Sequence, residues 1–124
     1  AGQIRKSADN RTLLATAWAL ARERDQAIRS YRLAAQASTS ADIDFTLAQL
    51  YLEDERWTDA ARTLETALEK PGLKTPGTAW LLLGIARYEL ESAGPAREAF
   101  NRAAGYTDSG KTARQWLEHL DQQS

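Results

Sequence analysis

The chain has 124 residues, 27% of them charged and 43% hydrophobic, with a formal net charge of −1; this is the composition of one globular domain, long enough to bury roughly two-thirds of its unfolded surface. Sixteen basic residues against seventeen acidic ones leave no cationic excess to neutralise phosphates, which argues against nucleic-acid binding. The absence of cysteine removes disulfides, thiolate metal sites and a cysteine nucleophile together.

Residues 1–7 read as an N-terminal arm in which Ile4 is the sole large apolar side chain. Ser7 or Asp9 is placed to cap a first helix ending near Arg22. Asp25 then caps a second, with Ala27, Ile28, Tyr31, Ala34 and Ala35 at helical spacing. Ser38-Thr39-Ser40 breaks it. Asp42 falls in the first turn of the next helix, where acid suits the dipole, and Leu47, Leu50 and Tyr51 form its apolar stripe. Asp54-Glu55-Arg56 is a turn, and Thr58 caps a helix carrying Ala61, Leu64, Ala67 and Leu68.

Pro71-Gly72 stops that helix. The link from Pro71 to Gly77 reads as an enlarged surface loop rather than a domain boundary, because the repeat described below continues across it. Thr78 starts the next helix, which ends near Glu91, and Gly94-Pro95 opens the one after. Gly105 to Gly110 is a turn. Over residues 111–121, Ala113, Trp116, Leu117 and Leu120 line one side of a closing helix. Lys111, Arg114, Gln115, Glu118 and Asp121 line the other. The expected total is about seven helices, all-α.

An internal repeat organises these elements. A shift of 33 residues brings Leu14 onto Leu47, and a further shift of 36 brings Leu47 onto Leu83. Small residues follow each (Ala15, Ala48, Gly84). The same shifts align Ala27, Ala60 and Ala96, then Tyr31, Leu64 and Phe100, then Ala34, Ala67 and Ala103. A small residue lets two helices approach, a large one fills the gap to its neighbour, and no copy buries its apolar face alone.

This pattern resembles the tetratricopeptide-repeat (TPR) family. The third copy carries it most fully, in Trp80, Leu83-Gly84, Tyr88, Ala96, Phe100 and Ala103. The second has Leu47-Ala48, Tyr51, Trp57, Ala60, Leu64 and Ala67, and the first Leu14-Ala15, Trp18, Ala27, Tyr31 and Ala34. Arg11 and Asp44 stand where the third copy has Trp80, and Asp108 stands where the family closes with Pro. The resemblance implies a right-handed α-solenoid of about three helix pairs (about 8–40, 41–74 and 77–108), followed by a capping helix and tail over 109–124.

No catalytic constellation accompanies it. His119 has no second His and no acid pair in a ligand pattern, and reads as a cap-helix surface residue. The acidic runs Asp42/Asp44 and Glu53-Asp54-Glu55 sit at helix ends, where dipole or solvent explains them. Gly72 to Gly77 lacks the Gly-Lys-Ser/Thr of a phosphate loop. The expectation is therefore no enzyme, no cofactor and no metal. Trp18, Trp57, Trp80 and Trp116 all read first as packing residues.

In TPR modules the first helix of each pair lines the concave surface. The resemblance places Thr12, Thr16 and Ala19 there, then Phe45, Gln49 and Leu52, then Leu81, Ile85 and Tyr88, with Glu53 and Glu89 at the edge. So many large apolar groups on an inner face imply a protein or peptide ligand with apolar anchors. Self-association of that face with a second copy is the alternative. The modules that hold the C-terminal carboxylate of heat-shock chaperones use Lys, Asn and Arg on these helices. The matching places here are Thr12, Thr16, Thr46, Thr78 and Leu82, so a carboxylate clamp is not expected.

Two stretches are more specific: Leu47 to Leu52 with Trp57 to Ala60, Leu64 to Leu68, Lys70-Pro71-Gly72-Leu73-Lys74 and Leu82-Leu83-Gly84-Ile85-Ala86, and the ending Lys111 to Leu117. They are similar to TPR proteins encoded beside the TonB–ExbB–ExbD system of Gram-negative bacteria, periplasmic proteins that assist TonB-dependent nutrient uptake. That resemblance implies the C-terminal part of a longer exported chain, which fits the lack of Met at position 1. A general peptide-binding adaptor, cytoplasmic or periplasmic, is the other expectation. The apolar run Ala79 to Leu83 is far too short to span a bilayer, so no direct membrane insertion is expected.

Overall fold

Six α-helices follow one another in the computed structural model, which describes the backbone of residues 2–123 and the side chains of residues 16–123: α1 (Gly2–Ala37), α2 (Ala41–Glu53), α3 (Trp57–Glu69), α4 (Pro76–Glu89), α5 (Ala93–Ala104) and α6 (Gly110–Gln123). There is no strand among the described residues. Each helix packs on the next in chain order, and α4 also touches α6.

The pairs α2–α3 and α4–α5 are copies of one hairpin. Glu55 and Glu91, equivalent under the repeat shift, both adopt left-handed backbone (φ 56° and 60°). The N–H groups of Glu55 and Arg56 donate to Leu52 O and Tyr51 O, and those of Glu91 and Ser92 donate to Tyr88 O and Arg87 O. This is a Schellman turn, in which two carbonyls of the last helical turn find donors. A left-handed non-glycine residue costs about 1–2 kcal/mol, and glycine returns about 0.5–1 kcal/mol of that as chain entropy. Glu55→Gly and Glu91→Gly are each expected to raise stability by about 0.5–1 kcal/mol, read as a higher urea midpoint at unchanged slope. A lower midpoint would mean the glutamate side chain stabilises its turn.

The first copy departs from this plan. The break expected between Arg22 and Asp25 is absent: α1 runs unbroken from Gly2, so the predicted arm from Gly2 onward and two predicted helices are one element, and six helices stand where about seven were expected. Arg22-Glu23-Arg24-Asp25 contains neither Gly nor Pro, and one Asp does not end a helix whose next residues are Gln, Ala and Ile. Arg24 also pairs with Asp54 at 3.3 Å, tying this part of α1 to the end of α2. Elsewhere predicted starts at Thr58, Thr78 and Gly94 fall within two residues of the observed ones.

Alanine dominates the interior. Ala48, Ala60, Ala67, Ala79, Ala86, Ala96, Ala99, Ala103 and Ala113 are fully buried, so helices approach closely and a few large side chains fill the remaining space. Leu64 and Leu83 lie in one core cluster with Ala48, and Phe100 lies in another with Ala96 and Leu120. At Gly84 an added Cβ would sit 2.5 Å from the Phe100 ring, so the third hairpin closes on glycine where the second closes on Ala48.

Candidate partner-binding surface

The repeat register sets the inner column. It places Phe45 in line with Leu81, Gln49 with Ile85, Leu52 with Tyr88, and Glu53 with Glu89. On α2, Gln49 and Glu53 are exposed, while Phe45 and Leu52 are half-buried against the core around Ala48, Leu64 and Leu83. On α4 the same positions, Leu81, Ile85 and Tyr88, are half-buried against the cluster of Ala96 and Phe100 on α5 and Leu120 on α6, and Tyr88 meets Trp116 of α6. Glu89 is exposed. Thr16 is exposed on α1, and the side chain of Thr12 lies outside the described residues. The ten positions therefore do not share one open groove. Gln49, Glu53 and Glu89 are exposed, whereas Phe45 and Leu52 on α2 and Leu81, Ile85 and Tyr88 on α4 are half-buried.

The inner threonines have partners within the chain. The Thr46 hydroxyl donates to Asp42 O at 3.1 Å. The Thr78 hydroxyl and N–H both donate to Asp108 Oδ2, at 2.9 and 3.2 Å, so Asp108 satisfies the start of α4 from the loop after α5. No cation joins them in these contacts.

A cluster at the end of the column went unread in the sequence. The Tyr88 ring meets Trp116 edge-on at 5.2 Å and His119 at 5.8 Å, and Trp116 stacks on Phe100 at 5.3 Å with an interplanar angle of 7°. The Gln123 amide donates to Tyr88 Oη at 3.0 Å. It also lies 3.2 Å from His119 Nε2, as does Tyr88 Oη. When His119 Nε2 accepts, its one lone pair is shared between the Tyr88 hydroxyl and the Gln123 amide. The signal in the sequence was the spacing of Trp116, His119, Leu120 and Gln123 along one side of α6; only the position of Tyr88 at the end of α4 was missing.

Two depressions flank this cluster. One of about 300 Å³ is lined by Gln115, Trp116 and His119. Another of about 380 Å³ is lined by Tyr88, Glu89, Glu91, Ala93, Leu120 and Gln123. An aromatic floor beside exposed Glu89 and Glu91 suits an apolar or aromatic side chain next to a basic one.

Two readings from composition are corrected. Asp44 lies in the first turn of α2 as expected, but not in solvent: it is 4% exposed, and Lys70 Nζ lies 2.6 Å from its Oδ2. Trp18 is not a packing residue among the described contacts; it is 70% exposed. Trp80, by contrast, is half-buried beneath the Arg102 guanidinium, 4.8 Å from the ring centroid.

Among the described residues no group of three or more His, Asp or Glu side chains is arranged to hold a metal ion, and no helix is long and apolar enough to cross a membrane. No protein-family model matches the chain, and no curated protein matches it significantly.

Proposed function

We propose that this chain is a TPR-type right-handed α-solenoid that holds a segment of another protein and performs no catalysis. The observation that supports the reading is the repetition of one hairpin: α2–α3 and α4–α5 share left-handed turn residues and turn hydrogen bonds at equivalent positions. α6 then serves as the closing helix that a repeat array needs. The held segment lies along Gln49, Glu53 and Glu89 toward the Trp116/His119 depression. Its matching chemistry is a basic side chain beside an apolar or aromatic anchor, not an acidic C-terminal tail.

The narrower reading is a periplasmic protein assisting a TonB-type transport complex. It rests on the sequence resemblance of residues 47–52 and 111–117. One experiment addresses both levels: capture from a Gram-negative envelope extract with the wild type and with Gln49→Arg/Glu89→Arg, whose positions are exposed. TonB-system proteins captured by the wild type and lost with the variant support both levels. Other proteins that behave so keep the scaffold reading and remove TonB. Equal capture by both sinks this surface.

A further inference from the structure

The second half of α1 has one satisfied face and one empty face. Ile28 and Ala35 are 3% and 9% exposed, packed with Leu47 and Tyr51 of α2. The adjacent face carries Tyr31, 38% exposed, and Ala34, also exposed. Their equivalents in the other two copies are Leu64 and Phe100, and Ala67 and Ala103, all fully buried. In those copies this face is covered by the preceding helix of the same hairpin. The residues that would do so here lie on the first half of α1. Among the described residues that half carries its own exposed aromatic: Trp18 is 70% exposed, whereas its equivalent Tyr51 is 3% exposed.

The Trp18 side and the Tyr31 side of α1 are complementary by register. Gly84 meets Phe100 across the third hairpin, and the repeat shift makes Ala15 and Tyr31 the matching pair. Within one unbroken α1 that pair is separated by roughly 24 Å at about 1.5 Å of rise per residue. A straight helix cannot bring its own halves together. A second copy in antiparallel orientation brings the first half of its α1 onto the Ala27, Tyr31 and Ala34 face, and receives the same in return. The register puts the crossing near Glu23.

We propose that two copies of this chain exchange the first halves of α1, each completing the other's first helix pair. This is domain swapping across the hinge that the second and third copies close as a turn. It rests on the repeat register but not on the ligand assigned above, and its test reads chain association rather than capture.

The chain has no cysteine, so introduced thiols report only their own contacts. Ala15→Cys and Tyr31→Cys chains are prepared separately, refolded together and oxidised; the wild type is sedimented in parallel over a range of concentrations. The expected result is a wild-type mass of two chains, and a disulfide-linked two-chain species from the mixture that neither variant yields alone. The double variant Ala15→Cys/Tyr31→Cys should likewise give linked dimers. A wild-type monomer at the highest soluble concentration overturns the proposal. So does a double variant that closes its disulfide within one chain, because α1 then turns near Arg22 and satisfies itself. A wild-type dimer whose thiols fail to link also overturns it, since the copies then meet by another face.

Discussion

Phe100→Ala is expected to lower stability by about 3–5 kcal/mol, the cost of deleting a buried aromatic ring from a site that cannot collapse around the void. Phe100 is fully buried, stacked on Trp116 and pressed against Gly84, so one truncation loosens α4, α5 and α6 together. The measurement is urea unfolding followed by helical circular dichroism, with the slope unchanged. The opposite change at the same contact gives a sharper test. Gly84→Ala adds a methyl where the ring already stands 2.5 Å away, and overpacking of that kind costs about 1–3 kcal/mol. The second hairpin accommodates Ala48 opposite the smaller Leu64 in the same register. Gly84→Ala/Phe100→Leu transplants that solution, and it should be more stable than the sum of its single changes by about 1 kcal/mol or more. Strict additivity would show that the pair does not set the helix spacing.

That contact also marks what the sequence made legible. The large-small order Leu83-Gly84…Phe100 and Leu47-Ala48…Leu64 is local physics repeated in register, and it gave the α2–α3 and α4–α5 hairpins within two residues. Pro71-Gly72 announced its stop because both residues oppose helix; Gly72 indeed takes φ 84°. What failed was what depends on distant residues. Nothing in Arg22-Glu23-Arg24-Asp25 distinguishes a turn from a helix, since the corresponding turns are made at Glu55 and Glu91, residues that also favour helix. Asp44 looked like an ordinary first-turn acid because Lys70 lies far along the chain. The column Leu81, Ile85, Tyr88 gives no sign of its own that Leu120 of α6 joins the cluster it packs against. The same lack of long-range information hid the Tyr88–His119–Gln123 contacts, although Trp116, His119, Leu120 and Gln123 stand at helical spacing along α6.

Lys70→Ala is expected to cost about 3 kcal/mol, the low end for breaking a buried ion pair, because the Lys70 side chain keeps 22% of its exposure while that of Asp44 keeps 6%. The ammonium does more than neutralise Asp44. It also donates to Ala35 O at 3.2 Å and Ser38 O at 3.1 Å, closing the C-terminal end of α1, where a cation offsets the helix dipole. Asp44 Oδ2 has no aligned hydrogen bond, so its compensation is the charge contact itself. Removing the lysine therefore strands a buried carboxylate and takes the donor from Ser38 O, while Ala35 O keeps the Ser38 N–H at 3.4 Å. Two controls separate these losses. Lys74→Ala removes a cation 3.9 Å from Asp42 but 84% exposed, and should change stability by less than about 0.5 kcal/mol. Asp44→Asn/Lys70→Met removes both charges and should recover most of the deficit. About 1 kcal/mol should remain for the carbonyl of Ser38. If Lys70→Ala costs no more than Lys74→Ala, the pair is solvated and does not anchor α1. If the deficit appears and hydrogen exchange quickens over Ala27 to Ala37, Lys70 is the fastening that holds the last turns of α1 on α2. The Tyr31 face is then presented in a fixed direction, as exchange with a second copy requires.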